Sequence, residues 1–456
     1  MTVRTALWRL FRLLAVLALS AQGYAQEPAA GPGSAKPSPP QAKLETLAVV
    51  SDRAPVKAGD KVVATVEKGR MFGVIERRGD QVEIQVCVGT QILRGTLQTS
   101  HVKLLTDDDV DVAAEWLKMA RDLDPKVDIP AYRARLDALV ERVAAAAALG
   151  KTPREEVRLI GVQLFEREGF SPHEGINTPD RVLDLKQGDC FGFSFLYLCI
   201  ARRLKMPLYL VLAPGHAFVR YEDRGEHFNI ETTREGKLHD TVGYLREHLG
   251  AQRFSQVGGA DLAILPVPSA LSTLFLAWGE ALRAMGKAPD ACGKFAKAVE
   301  INPRLAGAYS NWGVALDAMG KAPEACHKYA KAVQINPRFV DAYSNWGAAL
   351  GAMGKLADAC EKFAKAVEIN PRYAEAYNNW GLALAAMDKP AEACEKYAKA
   401  VEIKPRLALA YFNWGIALKA ISKNAEAIEK LDKAAALDPA LKPKVEELRK
   451  ELLGKK

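Results

Sequence analysis

The sequence predicts a multidomain protein of 456 residues in which a small β domain, an α+β domain and an all-α repeat domain follow one another. Three observations lead to this prediction. Short runs of Val, Ile and Thr separated by turn residues fill positions 44–105, and an apolar helix followed by strand-like runs occupies 190–231. A unit of 34 residues then recurs from Ser272 to Leu441. Each region is long enough to form its own hydrophobic core.

The first 25 residues have the features of a secretory signal peptide. Three arginines precede an apolar run at 13–19, and the small residues Gly23 and Ala25 suit cleavage before Gln26. The run is shorter than the about 20 apolar residues that span a bilayer, so we expect an exported, periplasmic or extracytoplasmic protein without a stable membrane span. An uncleaved N-terminal anchor is the alternative. Residues 26–43 contain five prolines and predict a flexible linker.

Charge and cysteine content exclude some classes of function. The 63 Lys and Arg outnumber the 55 Asp and Glu, but no dense basic block alternates with aromatic residues, which argues against a nucleic-acid partner. Four of the seven cysteines recur every 34 residues and are predicted core positions. Cys199 is also predicted to be core, and a disulfide to Cys87 stays open. Because His173, His239 and His248 have no ligand spacing to cysteines or carboxylates, we expect neither a metal nor another cofactor.

Positions 44–105 predict a small barrel of about five strands. The runs of β-branched residues lie at 47–50, 61–66, 72–75 and 81–86, and turns separate them. The block from Gly69 to Ile75 resembles a bacterial SH3-like domain. The resemblance implies either a docking module for a cell-wall or peptide ligand or a spacer without a ligand, and the sequence leaves both open.

The α+β domain is predicted at 106–257, and it begins with helices. Helical periodicity covers Val112 to Leu123, Ala131 to Leu149 and Pro153 to Glu168. A further run at 191–205 is mostly large and apolar, which predicts a buried helix with Cys190 at its first turn. The unpaired N–H groups and the positive dipole end at that turn favour a thiolate and offer donors to an oxyanion.

Three strands are predicted after this helix, at 208–212, 217–221 and 226–231. They place His216 just before the second strand and Glu231 at the end of the third. Asn229 has the same strand parity as Glu231, so either side chain is able to reach the imidazole. His227 shares this parity and is the second choice for a base, after His216.

This order of residues resembles the transglutaminase-like superfamily, a relative of the papain-type thiol enzymes. The blocks Gly188-Asp189-Cys190 and Pro214-Gly215-His216 carry the resemblance, which covers 128–249. It implies Cys190 as nucleophile, His216 as base and Glu231 as the orienting acid, where the family usually has Asp. No Trp lies between Lys118 and Ala277, whereas some true transglutaminases place one beside the oxyanion.

The predicted chemistry is acyl transfer to a thiol, with Cys190, His216 and Glu231 as catalytic residues. The N–H of Cys190 and the side chain of Gln187 are candidate oxyanion donors. Water as the acceptor gives a peptidase or amidase and a primary amine gives a cross-linking enzyme; the missing Trp favours hydrolysis.

Five tetratricopeptide repeats are predicted at 272–441, after a linker at 258–271. Three features recur in register every 34 residues: a Trp-Gly pair (Trp278, Trp312, Trp346, Trp380, Trp414), an alanine (Ala291, Ala325, Ala359, Ala393, Ala427) and a proline (Pro303, Pro337, Pro371, Pro405, Pro439). Residues 442–456 predict a capping helix and tail.

The repeats predict a protein or peptide partner in a concave groove. Near that surface runs a row of asparagines, for which we predict hydrogen bonding between helices: Asn311, Asn345, Asn379 and Asn413. Because two of the three modules are binding architectures, a catalytically inactive scaffold or adaptor is the alternative function.

Overall fold

The computed structural model describes residues 47–454 apart from 51–52, 68–69, 106–109, 214–215, 224, 240–263 and 266. The predicted signal peptide and Pro-rich linker, at 1–43, lie outside this part of the chain. The chain divides into two compact units, residues 1–311 and 312–456. None of the described helices is long and apolar enough to cross a membrane.

The N-terminal β domain consists of eight described strands in two antiparallel sheets, ordered β4-β1-β8 and β3-β2-β7-β6-β5. The strands are β1 (Leu47–Val50), β2 (Ala54–Ala58), β3 (Lys61–Val66), β4 (Met71–Gly73), β5 (Glu76–Arg78), β6 (Gln81–Val88), β7 (Gln91–Gln98) and β8 (Val102–Leu105). Phe72, Val82, Ile84 and Val86 are fully buried in its core. Neither described sheet closes on itself, so the SH3-like barrel stays a prediction.

The sequence predicted too few strands in this domain, and β7 is the longest that it missed. Arg94 and Gly95 interrupt the apolar pattern of β7, yet all eight residues pair with β6. A Cβ at Gly95 would lie 2.6 Å from the carbonyl oxygen of Lys57, so glycine is required where the neighbouring strand passes.

The α+β domain begins with helices whose starts are fixed by side-chain caps. They are α1 (Val112–Leu123), α2 (Ile129–Ala147) and α3 (Pro153–Gly161), after which the turn Val162–Arg167 is π-helical. Asp128 accepts a hydrogen bond from the N–H of Ala131, so α2 begins two residues before the predicted start. Helix α3 ends at Gly161, and the π-helical turn continues the predicted helical run to Arg167, one residue before its predicted end.

A five-stranded antiparallel sheet, ordered β14-β13-β12-β11-β15, completes this domain. Two short strands pair beside it, and the elements are β9 (Ser171–Pro172), α4 (Pro179–Leu185), β10 (Gln187–Gly188), α5 (Cys190–Leu204), β11 (Leu208–Ala213), β12 (His216–Asp223), β13 (Glu226–Glu231), β14 (Lys237–His239) and β15 (Ile264–Leu265). Every residue of α5 from Phe191 to Ala201 is buried, because the helix lies between β11–β12 and helices α1, α2 and α4.

Five helix pairs follow in the described residues, with the 34-residue period of the sequence. They are α6 (Val267–Ala284) with α7 (Ala288–Ile301), α8 (Ala306–Ala318) with α9 (Ala322–Ile335), α10 (Val340–Ala352) with α11 (Leu356–Ile369), α12 (Ala374–Ala386) with α13 (Pro390–Ile403), and α14 (Ala408–Ala420) with α15 (Asn424–Leu437). Helix α16 (Lys442–Leu452) packs against α15 as the predicted cap. The repeated alanines are completely buried.

The predicted linker at 258–271 is wrong at its C-terminal end. Strand β15 pairs with β11, and α6 begins at Val267 rather than at Ser272. The reason is burial: Val267, Ala270 and Leu271 are at most 1% exposed, and α6 contacts α1, β11 and β15 of the α+β domain. The first repeat is therefore part of the unit 1–311.

The N-terminal sheet also contacts this first repeat, through buried polar groups of β6. Gln85 donates from Nε2 to the carbonyl oxygen of Val299 at 3.0 Å and to the hydroxyl of Tyr309 at 2.7 Å. The N–H of Cys87 donates to Glu300 at 2.7 Å, and Arg70 forms an ion pair with the same carboxylate. None of the seven cysteines, all of which are described, forms a disulfide.

Candidate active site

The start of α5 is fixed by Asp189, which lies directly before Cys190. Its Oδ1 accepts hydrogen bonds from the N–H groups of Phe191 at 3.0 Å and Gly192 at 2.8 Å. This is an N-cap, and it makes Cys190 the first residue of the helix with a half-exposed thiol. Cys190 therefore sits at the positive end of the helix dipole, as predicted.

Two hydroxyl groups hold the carbonyl oxygen of Cys190. Ser194 donates from Oγ at 2.6 Å, and Thr232 donates from Oγ1 at 3.4 Å. The two hydroxyls are 3.4 Å apart. Helix α5 is thus connected to the chain segment that follows β13.

His216 begins β12, opposite Ala213 of β11. Its Nε2 lies 2.7 Å from Oε2 of Glu231, and Cys190 acts on the pKa of the same ring through hydrogen bonding and charge. Burial lowers the pKa of His216, but the hydrogen bonds and charges of Cys190 and Glu231 raise it to about 10.

Glu231 ends β13 and is 1% exposed. Its Oε1 accepts two hydrogen bonds from Thr233, from the N–H at 3.0 Å and from Oγ1 at 2.6 Å. Burial raises the pKa of this carboxyl, but the hydrogen bonds from His216 and Thr233 and the charge of His216 leave it below its ordinary value. The site accordingly holds a carboxylate against an imidazolium.

The other side chains that the sequence offered lie elsewhere or have other partners. Asn229 is buried and accepts a hydrogen bond from Nε of Arg220 at 2.8 Å, so Glu231 alone of the two bonds to the imidazole. His227 is exposed and lies opposite Glu222, near the other end of the hairpin from Glu231. Gln187 lies in β10, half-buried, and its role in the oxyanion site stays a prediction.

Sequence reasoning missed the residues that support this site. An Asp directly before a helix is a cap signal, so Asp189 could have been found. The hydroxyl contacts of Thr232 and Thr233 could not, because side-chain direction at a strand end depends on the turn that follows. Ser194 is different, because a serine within a helix commonly bonds to the carbonyl four residues earlier, here that of Cys190. Within the described residues, no group of three or more His, Cys, Asp or Glu is arranged to hold a metal ion.

Comparison with known proteins identifies this domain. Residues 130–252 match the family model described as the transglutaminase-like superfamily. No curated protein matches the sequence. Residues 128–249 carried the resemblance in the sequence, so the matched range and the predicted range nearly coincide.

Similar solved structures come from repeat proteins. They include MamA (25% identical, TM-score 0.34, covering 36% of this chain and 95% of that one) and YrrB, a tetratricopeptide protein described as having an unusual peptide-binding site (24%, TM-score 0.33, 38% and 90%). PilF of Pseudomonas aeruginosa is 21% identical, with a TM-score of 0.36 and coverage of 41% and 88%. None of these scores reaches 0.5, so the repeat assignment rests on the 34-residue period and the helix pairs of this chain.

The helix that begins at Cys190 and the strand pair β12–β13 lie within the residues that the family model matches. The chain contains a transglutaminase-like domain, and a C-terminal region of tetratricopeptide-like helix pairs follows it.

Proposed function

We propose that the transglutaminase-like domain is a thiol acyl-transfer centre that hydrolyses amide bonds, with Cys190 as nucleophile. The supporting observation is the 2.7 Å hydrogen bond between Nε2 of His216 and Glu231. Cys190, at the N-terminus of a helix, raises the pKa of the same imidazole. The proposed site has a thiol, a ring nitrogen and a carboxylate in the order that activates a nucleophile. A structural cysteine has no need of such a pair.

In the proposed reaction, the thiolate of Cys190 attacks the carbonyl carbon of an amide and forms the C–S bond. The N–H of Cys190 donates a hydrogen bond to the tetrahedral oxyanion; it is not among the donors of the Asp189 cap. His216 gives its proton to the nitrogen as the C–N bond breaks, and an amine leaves. Glu231 holds the ring and its positive charge in place.

The second half of the reaction releases the acyl group. Water attacks the thioester while His216 removes its proton, the C–S bond breaks, and a carboxylic acid leaves with the thiolate restored. A primary amine in place of water would give a new amide, which is transglutamination. Hydrolysis is proposed because the sequence has no Trp where some true transglutaminases place one beside the oxyanion.

The remaining modules are proposed to bring substrate to this centre. The protein is proposed to be exported, on the strength of its first 25 residues. The repeats are proposed to hold a protein or peptide ligand. Two exposed apolar side chains at equivalent positions of the last two repeats support a binding role. Leu382 is 45% exposed and Ile416 is 41% exposed, each on the first helix of its repeat.

The reactivity of Cys190 tests the proposal in the full chain. Iodoacetamide at about pH 6.5 should alkylate Cys190 at least about tenfold faster than the half-buried repeat cysteines, because Cys190 is proposed to pair with His216, whose pKa is raised to about 10. Cys326, Cys360 and Cys394 are the built-in controls, since burial raises the pKa of each. Peptide mass mapping over time gives the four rates.

His216→Ala is the matched variant, and it should bring the rate at Cys190 down to that of the repeat cysteines. Equal rates at all four positions in the wild-type chain would contradict the enzymatic proposal. They would leave the alternative, a scaffold that binds proteins through its core and its repeats.

A further inference from the structure

The two residues after Glu231 have hydroxyl groups that contact different parts of the site: one contacts the backbone of Cys190 and the other the carboxylate of Glu231. Thr232 is completely buried, and its hydroxyl lies 3.4 Å from both the carbonyl oxygen of Cys190 and Oγ of Ser194. Thr233 is half-buried and donates its hydroxyl to Oε1 of Glu231 at 2.6 Å. Adjacent residues thus contact the nucleophile's backbone and the acid.

We propose that Thr232 and Thr233 are positioning residues for the acyl-transfer reaction, and that together they set the separation between Cys190 and the His216–Glu231 pair. This inference rests on the function proposed above. It assigns the dipeptide a role that neither residue type nor spacing predicts.

Thr233 acts on the orientation of the carboxylate. A carboxylate that is 1% exposed has no water to replace a lost donor, so both oxygens need protein partners. Thr233 supplies two donors to Oε1, which leaves Oε2 to the imidazole at 2.7 Å. Hydrogen bonds to a charged acceptor are the strong ones, so this pair of donors resists rotation of the carboxylate away from His216.

Thr232 acts on the position of the helix. The carbonyl of Cys190 belongs to the first turn of α5, whose N–H groups have no partner within the helix. The hydroxyls of Ser194 and Thr232 both reach this oxygen, one from within the helix and one from the end of β13. Because residue 232 follows Glu231 directly, any shift of the helix start relative to the acid must stretch this contact.

The test is the titration of the His216 ring by NMR together with the alkylation rate of Cys190, in the full chain. Cys190 and Glu231 are the titratable groups that bond to this ring, and the threonine variants keep both. Thr233→Val retains the backbone N–H and loses one hydrogen bond to a charged group, so the pKa of His216 should fall by about one unit. Alkylation of Cys190 at about pH 6.5 should slow about tenfold. Thr233→Ser keeps the hydroxyl, so it should leave the pKa of His216 and the alkylation rate of Cys190 at their wild-type values.

Thr232→Val should slow alkylation, while the hydrogen bond between His216 and Glu231 and its NMR signature persist. Thr273→Val is the matched control, because that buried hydroxyl donates to the carbonyl oxygen of Ser269 within α6. It should change neither readout.

The outcomes separate this inference from the proposed function. If wild-type Cys190 is reactive but Thr233→Val leaves the ring titration and the rate unchanged, or changes only thermal stability, the positioning role is wrong. If wild-type Cys190 reacts no faster than the repeat cysteines, the proposed function itself fails, and the inference fails with it.

Discussion

Two buried carboxyl groups in the site, Asp189 and Glu231, have opposite protonation behaviour. Burial raises the pKa of Asp189 to about 7, because its partners are neutral amide groups: the backbone N–H groups of its cap and the side chain of Asn177. Glu231 is as deeply buried, but the imidazolium of His216 keeps its pKa low. The hydrogen bond and the charge of the neighbouring imidazolium, together with Thr233, therefore shift the pKa of Glu231 in the opposite direction to that of Asp189.

Asp189→Asn tests this assignment through stability. The folded pKa of Asp189, about 7, lies above the ordinary 3.8, so the protonated carboxyl contributes to the free energy of unfolding of the wild type at low pH. This contribution is lost as the pH rises through about 7. The amide keeps the acceptor oxygen and does not titrate. The free energy of unfolding of the variant, relative to wild type, should therefore increase by about 2 kcal/mol between about pH 5 and 8.5 in urea titrations.

Asp189→Ala is the control for this measurement. It removes the cap and should lower the free energy of unfolding by about 1 kcal/mol, an effect that persists at low pH. A stability difference between Asp189→Asn and wild type that does not change with pH would contradict the raised pKa.

At the scale of residues, the sequence predicted the three residues of the proposed site and missed the side chains that contact them. Cys190, His216 and Glu231 follow from their order on a helix and two strands. Thr232 and Thr233 do not, because only the turn after β13 decides where their hydroxyls point. The choice between Asn229 and Glu231 also needed the structure, since Arg220 holds the amide and parity alone cannot show this.

At the scale of elements, the glycine of each Trp-Gly pair allows the two helices of a repeat to pack closely. A Cβ at Gly347 of α10 would lie 2.7 Å from Cε1 of Phe363 in α11, and the equivalent contacts recur at Gly279, Gly313, Gly381 and Gly415. Real Cβ atoms do not approach so closely, so each glycine lets two helices of a pair come together. The sequence predicted this close approach at the alanines, and the glycines make it as well.

Two alanine substitutions in α10 separate packing from helix propensity. Gly347→Ala should lower the free energy of unfolding by about 1–3 kcal/mol, because the methyl group overpacks against Phe363. Gly351→Ala is the matched control: nothing lies within 4 Å of its Cβ, so it should stabilise by about 0.5–1 kcal/mol. Chemical denaturation followed by circular dichroism measures both, and two changes of the same sign would contradict the packing argument.

Strand prediction was weaker than helix prediction, for a physical reason. The helices of the repeats have 34-residue periodicity to confirm them, whereas the strands of the β domain are short and carry charged residues such as Arg94. Helix α6 was predicted to begin late, because the repeat pattern starts at Ser272. The residues before Ser272 are helical because they pack against the α+β domain. The 34-residue pattern carries no information about that contact.

At the scale of the whole molecule, the first repeat is where the predicted modules meet. Gln85 of the N-terminal sheet bonds to the first repeat and to Tyr309, and Glu300 of α7 accepts from Cys87. Helix α6 packs against β11 and β15. Composition predicted modules joined by linkers, because contacts between distant segments leave no local trace in a sequence. Residues 1–311 form one unit in consequence.

The central claim is that the full chain transfers an acyl group through Cys190, and an activated ester tests it most directly. On mixing with p-nitrophenyl acetate near neutral pH, the protein should release a burst of about one equivalent of p-nitrophenol and carry the acetyl group on Cys190, with slower release afterwards. The burst should be absent in Cys190→Ser and His216→Ala. Absence of a burst in the wild-type chain, or acetyl groups spread evenly over Cys190, Cys326, Cys360 and Cys394, would contradict the account.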